Sequence, residues 1–173
     1  MAIPTPSDIP QTPLLTRPAL ENSIWYGSAL ITVLATSEMT GGHYGMLAWR
    51  MGKGFAPVPH RHGPEDFYII RGKIRFWVAD RELVAVGGDL VRTMNKWHTF
   101  QVESDEAEFV TLFTPAGLEG FFLELGRPAA AMELPAGRVG PPDPNRLREL
   151  APKYGAEFAH PGTVPQDISK LPK

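Results

Sequence analysis

Between residues 28 and 114 the chain alternates apolar and polar positions over short stretches, each bounded by glycine, asparagine or a charged turn. Ser28 to Ala35 and His43 to Met51 read as two antiparallel strands around Gly41-Gly42. A strand carrying His60 and His62 is expected after Gly52-Lys53-Gly54. Phe67–Ile70 and Ile74–Val78 follow, joined at Arg71-Gly72-Lys73, with Leu83–Val86 returning after the polar turn 79–82. Gly87-Gly88-Asp89 precedes Leu90–Thr93, Met94-Asn95-Lys96 turns into Trp97–Val102, and Glu108–Thr114 closes the series. Strands of this length and spacing predict an all-β sandwich or barrel.

Past Thr114 the period changes. Leu118, Phe121, Phe122 and Leu125 fall at helical spacing, and Gly126 and Pro128 end the pattern. The stripe is expected to pack on the barrel's outside or on a subunit interface, with a lid as the alternative. Asp143-Pro144 supplies an N-cap and a first-turn proline for a second helix, roughly Pro144 to Lys153. The pattern divides the chain into a proline-rich arm (1–22), a β domain (23–126) and a Pro/Gly-rich extension with one short helix (127–173). The arm's prolines, at 4, 6, 10, 13 and 18, forbid regular structure. It is expected to lie across the domain, to reach a second subunit, or to form a loose tail.

Composition narrows the function classes. A length of 173 residues suits one domain with a real core. The net charge of -2 gives no basic surplus for nucleic acid or anionic lipid. There is no cysteine, which fits a reducing cytoplasm and excludes thiolate chemistry. Neither a signal peptide nor a membrane span is expected, because the longest apolar run, Ile24 to Ala35, is interrupted and short.

The chemistry concentrates at Pro59-His60-Arg61-His62-Gly63-Pro64-Glu65, with His98 about thirty residues on. Alternation in a strand sends His60 and His62 to one side and Arg61 to the other, toward an outer-surface salt bridge. Three imidazoles and a carboxylate form a mixed N/O set suited to one divalent transition metal: iron, nickel, manganese or copper, with zinc also possible. The alternatives are strand histidines paired with carboxylates, and for Glu65 a solvated side chain. His43 and His160 lie outside this cluster and read as surface residues. Phe67 alternates with Glu65 and Phe100 with His98, so both are expected to face inward. With Phe76 and Phe113 they are candidates for an apolar substrate pocket, and Met94 for a gate at its mouth.

These residues resemble the cupin superfamily. Gly54 stands five residues before His60, His62 follows, and Glu65 lies six residues before Gly72; Gly87 and His98 fit the second motif. Only Gly63 and Pro64 separate His62 from Glu65, one residue fewer than the motif, and Thr93 and Asn95 stand where proline and glycine are usual. The resemblance covers about residues 28–126. Phe113 to Gly126, and the segments 140–147 and 153–158, are similar to small single-domain cupins of the quercetin 2,3-dioxygenase type. The resemblance implies a jelly-roll β-barrel, often dimeric, with His60, His62, Glu65 and His98 binding one metal and Glu65 as catalytic base. It further implies a dioxygenase acting with dioxygen on a phenolic or enolic aromatic small molecule. Two other readings stay open: a non-redox isomerase or cyclase of secondary metabolism, and a binding protein without turnover.

Overall fold

The computed structural model describes residues 14–136, 143–160 and 162–171. The first part of the proline arm (1–13) and the Gly140-Pro141-Pro142 connector lie outside the described residues. Among the described residues there are twelve strands and two α-helices: β1 Ser23–Tyr26, β2 Ala29–Ala35, β3 Gly45–Gly52, β4 His60–Arg61, β5 Glu65–Arg71, β6 Lys73–Val78, β7 Arg81–Val86, β8 Leu90–Arg92, β9 His98–Val102, β10 Glu106–Phe113, α1 Glu119–Leu125, β11 Arg127–Pro128, α2 Pro144–Leu150 and β12 Glu157–Phe158. They form two antiparallel sheets, ordered β11-β1-β2-β3-β10-β5-β8 and β12-β4-β9-β6-β7. This is a jelly-roll sandwich closed into a barrel. Among the described residues no helix is long and apolar enough to cross a membrane.

Alternation builds the core. In β3 the buried positions are Gly45, Leu47, Trp49 and Met51; in β10, paired with it residue for residue, they are Ala107, Phe109, Thr111 and Phe113. Ile74, Phe76 and Val78 of β6 and Phe100 and Val102 of β9 face them from the other sheet. Phe67, Phe76, Phe100 and Phe109 meet edge-on or tilted, with ring centroids 5.2–5.8 Å apart. Such geometry sets the positive ring edge against the negative face. On the outside, Arg50 and Arg71 bridge Glu106 and Glu108.

The turns need unusual backbone where the sequence supplies it. Gly72 joins β5 to β6 at φ 92°, and a Cβ there would stand 2.6 Å from the Glu106 carbonyl oxygen. Only glycine fits both demands. Between β8 and β9, Met94 and Asn95 take φ 52° and 58°, and Lys96 N–H closes the turn on the Thr93 carbonyl at 3.0 Å. Asn95 thus adopts the left-handed form that a glycine would otherwise supply.

Four elements differ from the sequence reading. The strand through His60–His62 is only two residues long. β1 is a separate strand, and the first helix starts at Glu119. The second helix ends at Leu150 and passes into a 3-10 turn, Ala151–Tyr154, with Asp143 Oδ1 accepting from Asn145 N–H as cap. The extension is also more integrated than its composition suggests. β11 pairs with β1, and β12 pairs with β4, so both sheets gain an edge strand from it.

Candidate metal centre

His60, His62, Glu65 and His98 come together at one end of the barrel, each offering a ligand atom within 4.8 Å of all the others. His60 and His98 are paired residues of neighbouring strands, β4 and β9, with ring centroids 4.4 Å apart. His62 sits one residue beyond β4, where the chain leaves the sheet. Glu65 opens β5 on the opposite sheet with only 3% of its surface exposed. The two-residue linker Gly63-Pro64 still delivers it: Glu65 Oε2 lies 3.2 Å from His62 Nε2 and 3.5 Å from His98 Nε2.

Each imidazole is held by its other nitrogen. Nδ1 of His60, His62 and His98 lies 2.8 Å from the carbonyl oxygen of Val58, Gly63 and Lys96 respectively. A carbonyl can only accept, so each Nδ1 carries the hydrogen and each Nε2 presents a lone pair. In the neutral tautomers three lone pairs and a carboxylate oxygen face one another, an arrangement relieved only by a proton on an Nε2 atom or by a cation. His98 Nε2 is buried and has no hydrogen-bond partner among the described residues. A divalent cation satisfies all four at once. A pair of ligands on opposite sides of a metal at ~2.1 Å spans about 4.2 Å, so the set closes on an ion with small side-chain movement. The residues present fit a metal.

Without a cation, protons take its place between the imidazoles and the carboxylate. Burial lowers the pKa of His60 well below the usual histidine value, and the neighbouring His98 and His62 push the same way. Burial opposes ionisation of Glu65 too, but the imidazoles of His62 and His98 outweigh it and hold the carboxyl down to about 2. For His62, burial is likewise overcome, here by Glu65 and the Gly63 carbonyl, and the pKa is raised.

The cluster opens onto a cavity lined by aromatic side chains of both sheets and of α1. Trp49, Phe67, Phe100 and Phe109 line it from the two sheets, and Leu118, Phe121 and Phe122 from the helical stripe. The cavity volume is ≈ 60 Å³. One water needs ~10–15 Å³, so a ligand several times larger than water is admitted. Of the pocket candidates, Phe67 and Phe100 line this space. Phe76 does not: with no exposed surface it is wholly core. Phe113 packs 6.4 Å from the His62 ring and faces a neighbouring outer cleft instead. Met94 stands 63% exposed at the tip of its turn, away from the cavity, because its left-handed backbone turns the side chain to solvent.

Of the helical stripe, Leu118, Phe121 and Phe122 line the cavity, and Leu118 and Phe122 also pack against the core. Glu119, only 3% exposed, fixes the stripe: its carboxylate accepts from Ser37 N–H and Gly117 N–H, both at 2.7 Å. Phe158 of β12 stacks on His60 at 5.7 Å and on Phe121 at 6.0 Å, closing the side of the centre. Phe158 ends the segment 153–158 singled out in the sequence but was not a pocket candidate, and Tyr26 lies in no such segment; the pairing of β12 on β4 and of β1 on β2 brings them here. Arg61 points away, pairing with Glu157 at 2.9 Å and lying over the Trp97 ring at 5.3 Å. His160 is exposed. His43 is half-buried, with its Nε2 covered.

No family model matches the chain, and no curated protein is significantly similar to it. Solved structures do match. Ectoine synthase from P. lautus superposes with a TM-score of 0.52 at 16% identity, covering 75% of this chain and 100% of its own. Oxalate decarboxylase from Bacillus subtilis gives 0.50 at 19% identity over 64% of this chain, which spans 32% of that enzyme. A cupin-like protein from Thermotoga maritima gives 0.48 at 20% identity, covering 53% of this chain and 72% of its own. At these identities the likeness concerns fold alone. The chain has the cupin fold, as a single jelly-roll barrel. Within that fold it is a barrel whose open end gathers three histidines and a glutamate beside an aromatic cavity.

Proposed function

We propose that this chain is a metal-dependent oxygenase acting on a small phenolic or enolic molecule. The observation that carries the reading is the pairing of four converging acceptor atoms with an almost wholly apolar, aromatic cavity. A divalent transition metal held by His60, His62, Glu65 and His98 supplies Lewis acidity toward substrate oxygens and, where redox-active, a route for electrons to dioxygen. The protein's own residues do the rest. The aromatic walls take the flat face of the ligand, and Leu118, Phe121 and Phe122 exclude water beside it. Glu65 Oε2 faces the imidazoles, and Oε1 makes no hydrogen bond among the described residues, leaving it to accept the substrate's hydroxyl proton. Held near 2, the carboxylate is ionised but a weak base, so the hydroxyl it serves would have to be acidified by the bound metal. The resemblance of Phe113 to Gly126 to quercetinase-like cupins, read in the sequence, is in keeping with the same chemistry. At this volume the cavity suits a single ring better than a flavonol's three.

The test is metal analysis after reconstitution together with oxygen uptake on a panel of catechols, enols and flavonols. One equivalent of iron, nickel, manganese or copper, with uptake lost in His60→Ala, is expected. A bound metal with product formed but no oxygen consumed overturns the oxygenase reading in favour of a non-redox isomerase or cyclase. Ligand bound and recovered unchanged points to a binding protein.

We also propose a homodimer, supported by Tyr68, Ile70 and Leu90. Tyr68 and Leu90 are register partners on β5 and β8, and the three are 50–51% exposed on one face. Light scattering on the wild type and Leu90→Lys checks it; a monomeric wild type rejects it.

A further inference from the structure

Away from the metal-binding end, the cavity offers a ligand almost no polar contact. Its Trp49 indole is already engaged, donating to Thr111 Oγ1 at 2.9 Å. The other walls of both sheets and of α1 are carbon. Tyr26 is the exception. It ends β1 on the inner side of the sheet: Ile24 and Tyr26 pack against the core, while Trp25 between them turns outward to the Glu133 carbonyl and the Arg127 guanidinium. The Tyr26 ring stands edge-on to Phe122 at 5.3 Å and to Trp49 at 6.5 Å, and all three line the cavity.

The Tyr26 hydroxyl makes no hydrogen bond among the described residues, unlike Trp49 beside it. Tyr26 is half-buried and lines the cavity, so its hydroxyl can take a partner that enters there, which a phenylalanine in the same wall could not offer. Burial also raises the Tyr26 pKa well above the usual tyrosine range, so the phenol keeps its proton and can donate.

We propose that Tyr26 is the second polar contact of the substrate, its hydroxyl donating a hydrogen bond to a ligand oxygen remote from the pair held at the His60–His62–Glu65–His98 end. The substrate class narrows accordingly to catechol- or enol-type molecules that carry a further carbonyl or other oxygen acceptor on the ring. A site built to hydrogen-bond such an oxygen discriminates against the analogue lacking it, because the hydroxyl is then left unpaired. The inference rests on the chelating-substrate reading proposed above. Tyr26 is a specificity-determining residue here, not a proton carrier.

The test is anaerobic titration of the cobalt(II)-loaded full chain, followed by the visible spectrum. The probes are catechol, 2,3-dihydroxyacetophenone and 3,4-dihydroxyacetophenone; the two isomers place the acceptor at different distances from the chelating pair. Wild type is expected to bind at least one isomer about tenfold more tightly than catechol. Tyr26→Phe is expected to lose that preference while binding catechol as wild type does, so catechol reports that the variant is folded and loaded. Equal weakening of all three ligands assigns Tyr26 a purely structural role and overturns the proposal. So does a preference that survives in Tyr26→Phe, or no preference in wild type. If catechol itself leaves the cobalt spectrum of wild type unchanged, the chelating-substrate reading fails, and this inference falls with it.

Discussion

His98 makes the strongest quantitative test of the metal centre. Its Nε2 is buried, aimed at Glu65 Oε2 from 3.5 Å, and without a hydrogen-bond partner among the described residues. Leaving such an atom unsatisfied costs about 1–3 kcal/mol. Replacing His98 by leucine keeps a side chain of similar bulk and removes that cost. It also removes the Nδ1 hydrogen bond to the Lys96 carbonyl, whose net contribution is about 1 kcal/mol. Lys96 is exposed, so water can take over its carbonyl. The metal-free His98→Leu protein is therefore expected to be as stable as wild type or up to about 2 kcal/mol more stable. For a domain of this size that is a rise of about 0–8 °C in Tm. With metal the order reverses. At a free ion concentration a hundredfold above Kd, binding stabilises the wild type by about 2.7 kcal/mol, or roughly 5–11 °C, and the three-ligand variant gains far less. Thermal melts of both proteins with chelator and with zinc read the four values. Two results refute the reasoning: a chelated variant that melts far below chelated wild type, or a variant that keeps the full metal-dependent rise. The first would mean that His98 is a packing residue, and the second that it is no ligand.

The remaining predictions concern protons, turns and the helical stripe. Metal binding should weaken about tenfold per pH unit on the acid side of the raised His62 pKa, because His62 must lose its proton to bind, whereas His60, held low, is already neutral. Calorimetry in buffers of different ionisation enthalpy should find about one proton released near pH 6.5, and a release of zero or three contradicts this assignment. In the metal-free protein, the depressed Glu65 pKa contributes stability above the unfolded carboxyl value, ~4.5, that is lost as pH falls toward about 2. Glu65→Gln should flatten that part of the acid-denaturation curve; an unchanged curve counts against it. Gly72→Ala combines a left-handed backbone with a 2.6 Å approach to the Glu106 carbonyl oxygen, and should cost 2 kcal/mol or more, roughly, in urea denaturation. A loss under ~0.5 kcal/mol would show that the turn relaxes freely. Glu119→Ala leaves the Ser37 and Gly117 N–H groups without their acceptor, and about 2–4 kcal/mol of destabilisation is expected. Faster hydrogen exchange across 117–125 than in the barrel strands is the accompanying sign, and uniform exchange speaks against a latch.

The strands and the four convergent residues were legible in the sequence because both are local in origin. Period-two alternation decides which face a side chain takes, and glycine or asparagine marks where the backbone must turn left-handed, as at Gly72 and Asn95. His60, His62, Glu65 and His98 could be singled out because few residue types bind metals, and a strand's geometry places His60 opposite His98 once the two strands pair. What the sequence could not decide was everything set by packing across long separations. Whether the Leu118–Leu125 stripe faced outward or inward depended on the Glu119 carboxylate meeting Ser37, some eighty residues earlier. Phe76, Phe100 and Phe113 look alike on paper and all are buried, yet only Phe100 lines the cavity and Phe113 borders an outer cleft, because β6, β9 and β10 present them to different spaces. Phe158 reached His60 only through the pairing of β12 with β4. The tautomers followed the same division: the residue types came from the sequence, but the carbonyls of Val58, Gly63 and Lys96, placed by the fold, aim the three Nε2 lone pairs at a single point.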